Sequence, residues 1–112
     1  MHELGISRNI VSIVEDAAKG RRVKRVTLDV GKFAGVMPDA LLFCFDVVSK
    51  GTALEGARLD INEIVGRFRC FECGTEFQSD TLIQPCSCGS RRVERLAGEE
   101  LNIKEMELEE AA

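Results

Sequence analysis

Four of the five cysteines fall within residues 70–88, as C-F-E-C-G, eleven residues, then C-S-C-G. Nothing else in the 112 residues restricts folding as strongly. Two thiolates two or three positions apart grip one ion from a single turn. A second such turn completes a tetrahedron, the closed geometry of structural zinc. Gly74 and Gly89 each follow a pair, where such turns call for backbone with positive φ. The spacing therefore predicts Cys70, Cys73, Cys86 and Cys88 as zinc ligands. A structural zinc site is worth about 10–16 kcal/mol in small peptides, so the metal would supply most of the module's folding energy. Free surface thiols, a rubredoxin-like iron site and a redox C-x-x-C pair are the other readings. The redox reading lacks the strand-to-helix context that lowers a thiol pKa. No histidine lies in the module, so no open catalytic zinc position is expected. Cys44, inside LLFCFDVV, reads as a small buried hydrophobe on a helix.

Around the module the apolar pattern alternates between helix and strand. Ile6, Ile10, Ile13, Val14 and Ala17 share one helical face over residues 4–19, and Gly20 is a stop. Residues 23–30, VKRVTLDV, place Val26, Leu28 and Val30 on one side of a strand that Gly31 ends. Pro38 suits the first turn of a second helix, and Asp39 suits its positive end. That helix carries Leu41, Leu42, Phe45 and Val48 and runs through Ser49. Residues 57–65 and 101–108 alternate as two further strands, whereas residues 67–96 show little apolar periodicity. The expected fold class is α+β: a small three-stranded sheet with two helices, plus an inserted zinc-ribbon-like module with four Cys ligands. The main domain is then discontinuous, residues 1–66 and 97–112, around a zinc-binding domain of residues 67–96.

Charge narrows the function. Fifteen basic and nineteen acidic residues give a formal charge of -4, against a general polyphosphate binder. Within residues 66–96, Arg67, Arg69, Arg91, Arg92 and Arg95 face Glu72, Glu76, Asp80 and Glu94, a balance of +1. Zinc on four thiolates adds about -2. The module is therefore not basic, which counts against the alternative reading, a zinc-ribbon nucleic-acid-binding or regulatory protein; a small rubredoxin-like electron carrier is a third. No nucleophile–base pair and no GxxxxGKS phosphate loop is present, so no enzyme is expected. No signal-peptide pattern and no apolar run near the roughly 20 residues of a membrane span is seen. A cytoplasmic protein without a membrane partner is expected, with cysteines as metal ligands or free thiols, not disulfides.

The single histidine is His2, in MHELGI. A lone terminal histidine is most simply a solvated one. The chemistry at that position is nevertheless specific. The Met1 amine, the His2 amide nitrogen and the His2 ring nitrogen can close five- and six-membered chelate rings on one ion. All-nitrogen, near-planar ligation suits nickel(II) or copper(II). Glu3 could add a carboxylate or orient the ring.

MHELGI, the Gly31 turn after a valine-rich strand, ALLFCFDVVSKGT, the C-x-x-C, the CGS after the last ligand and GEELNIKEMEL occur in order along the chain. Together they resemble the HypA/HybF family of nickel metallochaperones for hydrogenase maturation. MHE and the cysteine module are the specific part. The resemblance implies nickel(II) as transient cargo at His2, with the Met1 amine and Glu3 beside it. It implies structural zinc(II) on Cys70, Cys73, Cys86 and Cys88, delivery of nickel to a [NiFe]-hydrogenase large subunit, and a HypB-type GTPase partner, with the chain a monomer or homodimer. One departure stands out: the commoner family pattern has two residues between the last two cysteines, and C-S-C has one. Asp39 is assigned to the amino end of its helix, not to nickel.

Overall fold

The computed structural model describes residues 2–110. In chain order the elements are α1 (His2–Ala18), β1 (Val23–Gly31), α2 (Pro38–Ser49), β2 (Arg58–Ile64), β3 (Gly66–Cys70), β4 (Glu76–Ser79), β5 (Val93–Ala97) and β6 (Leu101–Leu108). Among the described residues they make two three-stranded sheets, ordered β2-β1-β6 and β4-β3-β5. The α+β architecture with two helices agrees with the sequence. The second sheet lies in the zinc-ribbon-like module: residues 67–96, with little apolar periodicity, hold β4 and most of β3 and β5. Two compact units result. One comprises the chain up to Leu28, Val36–Asn62 and Asn102 onward; the other comprises Asp29–Gly35 and Glu63–Leu101.

In the first unit α1 packs on α2. Helix α1 starts two residues before the predicted boundary, with Glu3 in its first turn, where the helix dipole favours an acid. Its buried face is Glu3, Ser7, Ile10, Val11, Val14 and Ala18. Ile13 is 57% exposed and Ala17 is exposed, so the face is rotated from the one expected. That face is partly polar: the Ser7 hydroxyl donates to the Leu41 carbonyl at 3.4 Å. Helix α2 buries Leu41 and Phe45, leaves Val48 and Cys44 half-buried, and turns Leu42 out, against expectation. Val26, Leu28 and Val30 of the central strand β1 are buried as predicted. Arg25 of β1 spans both neighbours, with Nη1 3.5 Å from Asp60 of β2 and Nε 3.2 Å from Glu107 of β6. Such half-exposed pairs contribute little stability but favour one strand alignment over its alternatives. Strand β6 is an edge of its sheet.

In the second unit β3 pairs antiparallel with β4 and with β5. Its core is aromatic: Phe68 stacks on Phe77 with ring centres 5.6 Å apart and meets Phe33 at 6.1 Å. Gly31 matters here for space. The Gly31 amide donates to the Glu100 carbonyl at 2.7 Å. A Cβ at Gly31 would lie 2.1 Å from the Gly98 oxygen and 2.5 Å from the Glu99 nitrogen, both backbone atoms. Backbone cannot swing aside as a side chain can. Gly31→Ala is therefore expected to destabilise the chain by about 1–3 kcal/mol, the usual range for overpacking. Chemical denaturation of the metal-loaded protein reads this directly, and an unchanged midpoint would remove the close approach.

Candidate metal centre

The first cysteine pair is built on the end of β3. Beyond Cys70 the chain turns back, with the Gly74 amide donating to the Cys70 carbonyl at 3.0 Å and the Cys70 amide to the Thr75 carbonyl at 2.9 Å. Inside this turn the Glu72 and Cys73 amides donate to Cys70 Sγ at 3.4 and 3.5 Å. The second pair sits in a matching turn, closed by Cys86 N–H to Ser90 O at 2.9 Å and Gly89 N–H to Cys86 O at 2.8 Å. Gly74 and Gly89 have φ of 76° and 92°, the left-handed conformation foreseen for them.

The two turns bring all four sulfurs within 4.8 Å of one another. Cys70 Sγ lies 3.7 Å from Cys88 Sγ, and Cys73 Sγ lies 3.6 Å from Cys86 Sγ. A tetrahedron of thiolates about 2.3 Å from zinc has sulfurs about 3.8 Å apart, so the donor set fits that ion. The shortened C-S-C knuckle still presents both of its sulfurs to the cluster.

The four sulfurs do not share one electrostatic setting. The Thr75 hydroxyl, 3.2 Å from Cys73 Sγ, acts with the Thr75 amide and Cys86 to pull the Cys73 thiol down to about 6. The Cys73 amide, followed by that of Glu72, lowers Cys70 against the opposing effect of burial. Cys88 goes the other way. The Ser90 amide draws it down, but Cys70, burial, Cys73 and Cys86 outweigh that pull and push it up to about 12. Four crowded thiols cannot all ionise without a compensating charge, and a bound divalent cation supplies it. Thr75 and Ser90 had no signal in the cysteine spacing, although each stands two residues beyond a ligand.

The other candidate residues lie at the start of α1. The His2 side chain is 65% exposed, and its Nε2 is 3.3 Å from Glu3 Oε2. The Glu3 side chain is only 10% exposed, and the same oxygen accepts the Met37 amide at 3.1 Å. That bond first, then the Glu3 amide and the His2 field, hold the Glu3 carboxyl down at about 2, against burial. Glu3 thus fastens the first turn of α1 to the residue preceding α2 and leaves the imidazole at the surface. Met1, the expected co-ligand, lies outside the described residues. Asp39 is exposed in the first turn of α2, as its helix-end role requires.

The tie to Met37 depends on charge. Glu3 takes up its proton only near pH 2 in the folded state, whereas a free carboxyl takes one up near 4.5. The folded pKa is the lower of the two, so the stabilisation is fully present above pH 4.5 and disappears as pH falls through 2. Glu3→Gln is expected to lower the melting temperature at neutral pH, and the gap from the unmodified chain should narrow on acidification below 4.5. A gap that stays constant with pH would show that the charge is not what matters.

A family model described as hydrogenase/urease nickel incorporation, metallochaperone, hypA, matches residues 1–108. The hydrogenase maturation factor HypA of Nostoc punctiforme is 53% identical over 110 residues, covering 98% of this chain and 97% of that relative. The HypA of Geobacter sulfurreducens is 46% identical over 110 residues, covering 97% of this chain and 100% of that one. In fold, the chain resembles the solution structure of the Ni metallochaperone HypA from Helicobacter pylori, with a TM-score of 0.65 and 20% identity over 95% of this chain and 96% of the other. A second solution structure, of a HypA protein, gives a TM-score of 0.71 at 23% identity over 96% of each chain. The chain belongs to the HypA family of hydrogenase maturation factors and nickel metallochaperones.

Proposed function

We propose that the chain binds nickel(II) at its amino terminus as cargo and delivers it to a [NiFe]-hydrogenase large subunit, while zinc(II) on Cys70, Cys73, Cys86 and Cys88 is purely structural. The observation that carries this reading is the contrast between the two donor sets. Four sulfurs within 4.8 Å form a closed site suited to permanent retention. His2 is exposed, with its ring nitrogen steadied by an anchored Glu3 carboxylate, a design suited to loading and release. Nickel would be held by the His2 ring, the His2 amide nitrogen and the Met1 amine, with Glu3 as a further ligand or as the ring's orienter. Residues 1–66 and 97–112 form the nickel-binding domain, and residues 67–96 the zinc-binding domain.

The chain acts in the cytoplasm as a carrier and not as an enzyme. Nucleotide hydrolysis is left to a HypB-type GTPase partner. Among the described residues no helix is long and apolar enough to cross a membrane. The nucleic-acid alternative finds little support in the module's arginines. Arg67 pairs with Glu76, Arg69 with Glu94, Arg92 with Glu72 and Arg95 with Glu99, which neutralises the face a phosphate backbone would need. Metal analysis tests the proposal. Protein made without added metal should carry about one zinc per chain, and mild nickel loading should add about one nickel without displacing the zinc. Nickel uptake only at the expense of zinc would overturn the two-site reading.

A further inference from the structure

The four cysteines are not equivalent. Cys70 and Cys86 are 2% and 3% exposed, whereas Cys73 and Cys88 are exposed. Each knuckle thus offers one sulfur-bearing residue to solvent and buries the other. Two short sulfur–sulfur separations run between knuckles and join an exposed cysteine to a buried one: Cys73 to Cys86 at 3.6 Å, and Cys88 to Cys70 at 3.7 Å. We propose that Cys73 and Cys88 are the sites at which peroxide oxidises this centre, and that oxidation closes the cross-knuckle disulfides Cys73–Cys86 and Cys70–Cys88 and expels the zinc. This rests on the zinc reading above.

Accessibility decides the first step. Peroxide must reach a sulfur before reacting with it, and reactive cysteines are those open to solvent with a resolving thiol beside them. Cys70 is shielded further, since the Glu72 and Cys73 amides already occupy its sulfur lone pairs. The Cys73 thiolate attacks the O–O bond, hydroxide leaves, and a sulfenic acid forms. The Cys86 thiolate then attacks that sulfur and displaces a second hydroxide, which closes the disulfide. Cys88 and Cys70 repeat the sequence. Each disulfide gives two electrons to one peroxide, so two peroxides and four protons yield two disulfides, four waters and one free zinc ion.

Backbone geometry rules out bridges within the knuckles, and the 3.6 and 3.7 Å separations select between the two crossed pairings that remain. A Cys86–Cys88 bridge would close a ring over the single residue Ser87, and disulfides tolerate only a narrow range of Cα separations and dihedral angles. The short knuckle that departs from the commoner family pattern therefore directs both bridges across the site. Crossed bridges keep the two knuckles tethered after the metal has gone, so reduction restores a site that rebinds zinc.

The test uses the full chain, assayed for zinc beforehand and then treated with hydrogen peroxide. A chromogenic chelator follows zinc release, dimedone traps sulfenic acid at early times, and non-reducing peptide mass spectrometry with fragmentation between Cys86 and Cys88 assigns the bridges. The expected result is dimedone chiefly on Cys73 and Cys88, bridges Cys73–Cys86 and Cys70–Cys88, one zinc released per two bridges, and zinc uptake restored by a thiol reductant. Bridges within a knuckle, Cys70–Cys86 with Cys73–Cys88, label chiefly on Cys70 and Cys86, or zinc retained after both bridges form would overturn it. A chain isolated without zinc would count against the zinc reading instead, and the mapping on that same chain still decides the pairing.

Discussion

Cys73→Ser protein is expected to hold far less than one zinc per chain and to lose the β4-β3-β5 sheet while α1 and α2 remain. Cys73 supplies one of four clustered sulfurs, and its neighbours Thr75 and Cys86 stabilise it as the thiolate that zinc requires. A hydroxyl oxygen in its place is a poor zinc ligand at neutral pH and carries no charge to offset the ion. The second unit has only three short strands and a three-phenylalanine cluster to set against the loss. Since a structural zinc site contributes about 10–16 kcal/mol in small peptides, losing much of that outweighs what so small a core supplies. Hydrogen exchange should show β3 amides, protected in the loaded protein, exchanging rapidly in the variant, with α1 amides unchanged. Cys44→Ser is the control: Cys44 lies on α2 and is not one of the four clustered sulfurs, so zinc content should be unaffected. Full zinc occupancy in Cys73→Ser would remove Cys73 from the ligand set.

The ligand cluster was legible because tight turns impose local constraints, and local constraints leave their mark in spacing. Cys70–Cys73 with Gly74, and Cys86–Cys88 with Gly89, specify two turns without reference to the rest of the fold. Strand β3 shows the limit. Its five residues alternate faithfully, with Gly66, Phe68 and Cys70 buried and Arg67 and Arg69 exposed. Two of the three buried residues are a glycine and a thiol, so a count of apolar side chains registers Phe68 alone. The partner that completes Phe68's environment, Phe33, is far away in sequence, inside a segment that reads only as a turn.

The face of α1 was misjudged for a related reason. Its inward stripe includes Glu3 and Ser7, polar residues satisfied by Met37 and Leu41 of a segment 34 positions later. Periodicity in hydrophobic residues cannot find a stripe that is partly polar, and it selected Ile13 and Ala17 instead. The same tertiary bond gives Glu3 its fixed position beside His2. The identity of Glu3 as a nickel-site candidate came from its neighbour in sequence, but its anchoring is visible only in the fold.

Two unlike changes at the amino terminus are each expected to weaken nickel binding and leave zinc in place. His2→Ala removes the ring nitrogen. A short Gly-Ser extension before Met1 keeps the imidazole but converts the amine into an ordinary amide. Either change opens a ring of the proposed three-nitrogen chelate, and the expected loss is at least about tenfold in affinity, or 1.4 kcal/mol. Neither touches Ile10, Val11 or Val14 on the buried face of α1, so thermal stability without nickel should hardly move. Protons compete for nitrogen ligands: reference values are about 6.5 for an imidazole and about 7.7–8.0 for an α-amine, so affinity should fall as pH drops through that span. Glu3, held at about 2, stays charged throughout and contributes nothing to that fall.

Calorimetric nickel titration of the unmodified, His2→Ala and extended chains, each at about pH 7.5 and about pH 6, is the most direct measurement. The account predicts one nickel site in the unmodified chain, weaker at the lower pH, and a marked loss in both altered chains at unchanged zinc content. Equal nickel affinity in all three chains would contradict it and return His2 to a solvated side chain with no part in metal delivery.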